Sequence, residues 1–463
     1  MFSKNLIEFF YLISAALLII GLRFLTNSQR ARWGNLLISS AMGIAVVSSL
    51  LGTDITNLGW IFSAIIIGSV MGILSSRKVR LTSAPQLLAF YNGLGGAAVT
   101  ITSYIAFIQL PILENNNLFS LRSIFIFFSI FLGIVSFSGS ITSIIKLRNL
   151  LPESGISFPL QKLLNFFTLI ATFAITGFIL AKNEPDHYLL YLMMLLSTVY
   201  GIFFFMPIGG FDSPIAISFL NSYSGFSLVF SGAIYSNQIM LVSGLVIGLS
   251  SIVLAILFAK STKRSIFKIL LGGSNYNLPS PYYHLGMVAR EITISDAAIL
   301  LKYSKKVLII PGYGMGISQT HYSCKELEDL LIENNVEVKY LVHPYAGRMP
   351  GHMNILLSEA NVSYKNILQV DDVNKIIHNL DLVFCIGAND IINPYIDRDK
   401  KNPLYGIPKI NLEKAKQIII IKRSLQPGFS GLENQIFFEP NTKLILGNLK
   451  SILLKLIIEV REI

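Results

Sequence analysis

Over its first 260 residues the chain consists of long apolar runs separated by short polar ones, and after residue 305 it changes to short apolar runs among interspersed charges. A bilayer core takes about 20 mostly apolar residues per helix. Nine runs meet that need, at 6–25, 34–51, 58–74, 85–110, 124–145, 163–181, 188–206, 214–234 and 239–259. They predict a multi-pass α-helical membrane bundle with its termini on opposite sides. In the second part, 307–310 predicts a buried strand, 311–316 a tight turn and 318–333 an amphipathic helix. Further strands are expected at 336–342, 382–386 and 417–421, and a last helix after Leu446-Gly447 that ends near Val460. Strands and helices in alternation predict a parallel sheet with helices on both faces, a Rossmann-like α/β domain. The expected organisation is a transmembrane domain at 1–260, a linker at 261–304 and an α/β domain at 305–463.

Composition agrees with two regions of different solvent. Of 463 residues, 52% are hydrophobic and 14% charged, outside the range of soluble globular chains. The net charge of +11 comes with no basic patch interleaved with aromatics, so it does not point to nucleic acid. Its distribution follows a membrane pattern, because Lys and Arg in short loops favour the cytoplasmic face. Arg30 and Arg32 follow the first run, Arg77, Lys78 and Arg80 the third, Lys146, Arg148 and Lys162 the fifth, and Lys260, Lys263, Arg264 and Lys268 the ninth. The connections at 52–57, 111–117, 182–186 and 235–238 carry a single Lys and several acids. The N-terminus is therefore expected outside and the α/β domain in the cytoplasm, with a bacterial inner membrane as the expected location. Basic residues follow the first run and no small-residue cleavage site does, so it reads as a retained helix. Cys324 and Cys385 lie in apolar surroundings and read as core residues, and the histidines show no paired spacing for a metal.

Polar groups inside membrane helices bond neighbouring helices or line an ion path. The fourth run contains Asn92 followed by Gly93, Gly95 and Gly96, the fifth Ser138, Gly139 and Ser140, and the eighth opens on Asp212 and continues to Asn221, Ser222 and Ser224. Close helix approach accounts for Gly and Ser, interhelical bonding for Asn92 and Asn221, and helix capping for Asp212. An ion path accounts for the same residues.

In the α/β part, Gly312 and Gly314 lie in the turn after the first strand, where backbone amides can approach a pyrophosphate. Ile317 stands where a third glycine of that pattern would fall. An NAD site places an acid after the second strand, to hold the ribose hydroxyl; His343-Pro344 stands there instead, which disfavours NAD and admits NADP. Cations for a 2′-phosphate are at hand in Lys422-Arg423-Ser424, directly after the strand at 417–421. Two further loops, 343–352 and the Pro-containing stretch from Gly387 to Pro408, are too rich in special residues to be plain connectors.

Taken in order, these loops resemble the NADP(H)-binding domain of proton-translocating NAD(P) transhydrogenases, and the likeness extends to the beta subunit as a whole. The motifs are Pro-Gly-Tyr-Gly-Met at 311–315, His-Pro and Ala-Gly-Arg-Met-Pro-Gly-His-Met-Asn within 343–354, Gly-Ala-Asn-Asp at 387–390, Tyr-Gly-Ile-Pro at 405–408 and Lys-Arg-Ser at 422–424. Gly-Gly-Phe-Asp-Ser-Pro at 209–214 and Leu-Asn-Ser-Tyr-Ser-Gly at 220–225 are equally similar in the membrane part. The resemblance implies hydride exchange between NAD(H) and NADP(H) coupled to proton translocation, with NADP(H) on this chain. It implies an alpha subunit carrying NAD(H), in a dimer of alpha-beta units. The cofactor residues it implies are Gly312, Tyr313, Gly314, Met315, Tyr345, Ala346, Gly347, Arg348, Met349, Pro350, Gly387, Ala388, Asn389, Asp390, Gly406, Ile407, Lys422, Arg423, Ser424, Gly428 and Phe429. Of these, Lys422, Arg423 and Ser424 would hold the 2′-phosphate, 426–431 would form a lid, and 387–390 would lie near the nicotinamide. Asn92, Ser140, Asp212 and Asn221 would belong to the proton path or its coupling, with no acid or base needed for hydride transfer itself. Three positions depart from the family pattern: Asn92 where some members have His, Phe429 for a Tyr, and Gly447-Asn448-Leu449 for Gly-Asp-Ala.

Overall fold

The computed structural model describes residues 4–463 except 26–29, 53–56, 79–82, 114–119, 149, 151–155, 157, 159, 183–185, 209–211, 262–265, 267–288, 348–350, 395–403, 405, 427, 429 and 431. Two compact units emerge, one of membrane-type helices and one built on a sheet.

The helical unit contains α1 (Lys4–Leu25), α2 (Ala31–Gly52), α3 (Leu58–Lys78), α4 (Ala84–Leu113), α5 (Leu121–Leu147), α6 (Gln161–Lys182), α7 (His187–Phe205), α8 (Ser213–Ile234) and α9 (Gln238–Ser261). Each coincides with one of the nine predicted runs, give or take a turn. Among the described residues, seven are long and apolar enough to cross a bilayer; α4 and α8, which carry Asn92 and Asn221, fall outside that set. Small residues let α4 and α5 touch: a Cβ added at Gly96 would stand 2.6 Å from the Gly133 carbonyl oxygen. Serines then bond across the helices. Ser103 Oγ donates to Ser129 Oγ at 2.7 Å, Ser129 Oγ to the Ser227 carbonyl at 3.0 Å, and Ser227 Oγ back to the Ser129 carbonyl at 2.8 Å. The α5 serines 129 and 136 sit seven residues apart, so they share the face turned to α8.

The sheet unit has six parallel strands in the order β3-β2-β1-β4-β5-β6, namely β1 (Lys306–Pro311), β2 (Glu337–Leu341), β3 (Ile367–Leu368), β4 (Leu382–Ile386), β5 (Ile418–Lys422) and β6 (Thr442–Leu446). Val307 to Ile310, Leu382 to Ile386 and Ile418 to Ile421 are all buried, as strands covered on both faces must be. The order reverses between β1 and β4, the switch point where open α/β sheets bind ligands.

Around the sheet lie α10 (Ile294–Lys302), α11 (Tyr313–Ser318), α12 (His321–Glu333), α13 (His352–Glu359), α14 (Val370–Ile376) and α15 (Leu449–Glu462). The helix expected at 318–333 is α12, starting at His321; the stretch expected as a tight turn at 311–316 instead winds into the short α11, which ends where Gln319 takes a left-handed φ of 52°. Within the expected linker, α10 packs on α15, and Arg290 and Ile292 bond Leu444 of β6, so the α/β fold begins well before residue 305. Asn448 caps α15 by accepting from the Lys450 and Ser451 amides, a role its side chain fills as an Asp would.

Candidate functional site

Four loops meet at the C-terminal edge of the sheet. The turn after β1 and the loop after β4 are joined directly: Gly312 N donates to the Ile386 carbonyl at 2.9 Å and Gly314 N to the Gly387 carbonyl at 2.9 Å. Gly387 has φ +64°, and a Cβ there would stand 2.7 Å from Gly314 Cα. Only glycine permits both the left-handed turn and that backbone approach. Gly312, Gly314, Gly387 and Ala388 are thereby brought together at the switch point, with Tyr313 half-buried and Met315 buried at the start of α11.

After β2, His343 is buried, with Nε2 2.8 Å from the Pro408 carbonyl and Nδ1 3.1 Å from the Tyr345 amide. The amide can only donate, so Nδ1 accepts and the proton sits on Nε2. Burial pushes the imidazole down to about 4, which keeps this neutral form. Tyr345 packs against Leu404, Ile407 and Leu432, and Gly347 lies so close to His352 that a Cβ would meet its ring. His343, Ala346, His352, Gly406 and Ile407 line one cleft at the β2 side. Arg348, Met349, Pro350 and Phe429 lie outside the described residues.

On the β5 side, Lys422 Nζ donates to Asn389 Oδ1 at 3.1 Å and to the Gln426 carbonyl, and lies 4.6 Å from the centre of the Phe437 ring. Burial lowers the ammonium to about 8, against the opposing pull of the Asp390 carboxylate. Asp390 is buried and accepts from Ser430 N at 3.1 Å and Ser430 Oγ at 2.6 Å. Gly428 sits on the same two side chains: a Cβ there would be 2.5 Å from Asn389 Nδ2 and 2.8 Å from Asp390 Oδ1. Asn434, not singled out in the sequence, donates to the Asn389 carbonyl at 2.8 Å. Arg423 is exposed at the strand end, and Ser424 is half-buried. The predicted residues thus fall into two groups flanking the glycine junction, with Tyr345 packed on the cluster of Leu404, Ile407 and Leu432.

At this edge stand a close glycine junction at the switch point, an exposed Arg423 at a strand end, a neutral His343 after β2, and a buried Asn389 Nδ2 with no acceptor among the described residues. Both buried cysteines have thiols raised by burial, Cys324 to about 12, and no metal-binding cluster occurs among the described residues.

In the helical unit, Gly93, next to Asn92, lets α4 come close to Ser140 of α5: a Cβ on Gly93 would be 3.0 Å from Ser140 Cβ. Asn92 Nδ2 and Ser140 Oγ are buried with no partner among the described residues. The Asn92 carbonyl accepts from Ser224 Oγ at 3.3 Å, Ser224 Oγ lies 2.6 Å from Ser136 Oγ, and Asn221 Nδ2 donates to Ser251 Oγ at 2.6 Å. Three of the four predicted residues therefore lie along one polar seam through α4, α5, α8 and α9. Ser136 and Ser224 complete it; their signal in the sequence was serine recurring at helical spacing within an apolar run. Asp212 is buried just before α8, and Gly209 to Phe211 lie outside the described residues.

Apolar helices long enough to cross a bilayer, followed by a six-stranded parallel, Rossmann-like domain, make this an integral membrane protein with an α/β domain. The chain belongs to the NAD(P) transhydrogenase beta subunit family, whose model matches residues 7–459. Two curated relatives are both described as NAD(P) transhydrogenase subunit beta from Rhodospirillum rubrum, one of them from a designated strain. Each is 34% identical over 448 residues, covering 95% of this chain and 96% of the relative.

Proposed function

We propose that this chain binds NADP(H) at the C-terminal edge of its sheet and, with an alpha subunit that carries NAD(H), couples hydride exchange to proton movement across the membrane. The observation that carries the cofactor reading is the neutral His343 at the position of the NAD-type acid, together with the exposed Arg423 at the end of β5. Gly312, Gly314 and Gly387 keep side chains away from the junction where the pyrophosphate would approach, Ala346, Gly406 and Ile407 line the β2 side of the groove, and Gly347 packs on His352. The Lys422–Ser424 triplet marks the 2′-phosphate end, with Arg423 as its exposed guanidinium. Ser430, in the stretch read from the sequence as a lid, is fixed to Asp390 through its amide and its hydroxyl.

When bound, the nicotinamide rings carry the hydride, and the protein's part is to set one ring against the other. Exchange between two identical rings is nearly isoenergetic, so the gradient acts through binding. One elementary charge moved through 100 mV is worth about 2.3 kcal/mol, enough to separate the affinities for NADP and NADPH in two states of the sheet domain. Asn92, Ser140 and Asn221 belong to the path, where Asn92 serves as a hydrogen-bonding station for water and not as a titrating base. Asp212, buried just before α8, belongs with them in this reading. In this reading the transmembrane domain is 1–260 and the cofactor is bound by 305–463, onto which the stretch from Arg290 to Lys302 packs, with the N-terminus outside a bacterial inner membrane and the complex a dimer of alpha-beta units.

The test is reconstitution with the alpha subunit in proteoliposomes. Reduction of an NADP analogue by NADH should change the pH of the lumen; hydride exchange without proton movement would remove the coupling and leave the cofactor site.

A further inference from the structure

Resting on the cofactor reading above, we propose that Asn374 is a positioning residue for the dinucleotide groove: its side-chain amide stands in for a neighbouring strand and holds 408–411, so that Gly406 and Ile407 keep their place on the β2 side. The stretch from Gly406 to Asn411 needs such a partner. It runs between β4 and β5 without joining the sheet, and its backbone groups must still be bonded.

Asn374, on α14, supplies two of those bonds. Its Nδ2 donates to the Lys409 carbonyl at 2.8 Å, and its Oδ1 accepts from the Asn411 amide at 2.9 Å. The carbonyl of one residue and the amide two residues on lie along the same edge of an extended chain, and in a parallel sheet a single residue of the next strand bonds both. A side-chain amide offers the same donor and acceptor as a peptide group. An aliphatic side chain of that shape would bond neither.

The opposite edge is held as well. Successive carbonyls of an extended chain point to opposite sides, and that of Pro408 accepts from His343 Nε2 at 2.8 Å. The stretch is thus pinned between the loop after β2 and α14 at three backbone positions. Just before it, Gly406 takes φ +89°, and Ile407 is buried with Leu404 and Leu432 against Tyr345. Asn374, Gly406 and Ile407 line the same cleft as His343 and Ala346.

This cleft is far from the phosphate end. Arg423 follows β5, which stands three places from β2 in the sheet, or about 14 Å at the usual strand spacing. A dinucleotide with its 2′-phosphate at β5 and its pyrophosphate at the glycine junction reaches the β2 side with its other nucleotide. Asn374 therefore acts on that half and leaves the phosphate-bearing half to the Lys422–Ser424 triplet.

The experiment uses the intact chain in detergent with two probes: NADPH, which spans the groove, and adenosine 2′,5′-bisphosphate, which has only the phosphate-bearing half. Both affinities are measured by calorimetric titration. Asn374→Leu keeps the shape and removes both bonds, so NADPH should bind about tenfold or more weakly, while the bisphosphate stays within about twofold of the parent. Asn374→Asp keeps the acceptor for the Asn411 amide but turns an oxygen toward the Lys409 carbonyl, and it too should weaken NADPH alone. Should Asn374→Leu fail to fold, Asn374→Asp decides with the same two probes. Parental NADPH affinity in the variants overturns the proposal. An equal loss for both probes overturns it too, by showing a general loosening of the domain. A parent chain that does not bind the bisphosphate defeats the cofactor reading instead, and the proposal falls with it.

Discussion

In the sheet unit, β1, β4 and β5 form an unbroken layer of buried Val, Leu, Ile, Phe and Cys, and polar groups gather only at the strand ends. In the helical unit the arrangement is turned around. The buried face of α5 carries Ser129, Gly133, Ser136, Ser138 and Ser140, while Trp60, Ile66 and Met71 of α3 stand exposed, Trp60 by 82%. The difference follows from the solvent. In water, covering aliphatic surface drives association; in lipid that surface is equally comfortable outside, so helices are held by close backbone approach and hydroxyl bonds. Function follows the same division. The sheet domain presents cations and amides at an aqueous edge, and the helical unit keeps its polar atoms in a narrow seam where they are costly unless used.

The sharpest way to break this contrast is at the glycine junction. Gly387→Ala forces a left-handed alanine against Gly314 and is expected to cost about 3 kcal/mol, seen as a large drop in the melting temperature of the solubilised chain. A drop no larger than that of a surface substitution would show that the loops after β1 and β4 can part without penalty.

Acid acts next, on the sheet unit. His343 titrates lower in the fold than in the unfolded chain, so its contribution to stability is complete above pH 6.5 and declines as pH falls toward 4. The unfolded chain binds more protons across that window, and the total loss approaches about 3 kcal/mol. Calorimetry from pH 7 to 4 should show this slope, and His343→Phe should flatten it; an unchanged slope would mean that His343 does not stay neutral.

In the helical unit the expected effects are smaller. Ser136→Ala removes one hydroxyl from the seam and should lower stability by about 0.6 kcal/mol, since the partners find other bonds within the membrane. Smallest is Gly68→Ala on α3, where a Cβ would meet nothing within 4 Å. Helix propensity alone then acts, a gain of at most about 1 kcal/mol. Destabilisation at Gly68 would reveal a packed face.

Long-range apolar pattern made the nine membrane-type helices among the described residues and the main strands legible, because bilayer thickness and double-sided burial leave continuous runs. What escaped was local. β3 is two residues long, too short for any period, and α11 is a six-residue helix wound from the glycine-rich stretch that reads as a turn, ended by left-handed Gln319. The motif loops were readable as special, yet their pairing was not: nothing in the spacing of Asn389, Lys422 and Asn434 shows that they form one cluster, because the sheet brings together residues far apart in the chain. Asn448 is a case of the reverse, a departure from the family pattern that the helix cap absorbs.

The account stands on recognition of a phosphorylated dinucleotide at the edge of β5. Titration of the intact chain with NADPH and with NADH measures this directly: binding of NADPH tighter by about tenfold or more, reduced by Arg423→Ala, is the expected result. Equal affinity for the two cofactors, with no response to Arg423→Ala, would contradict it.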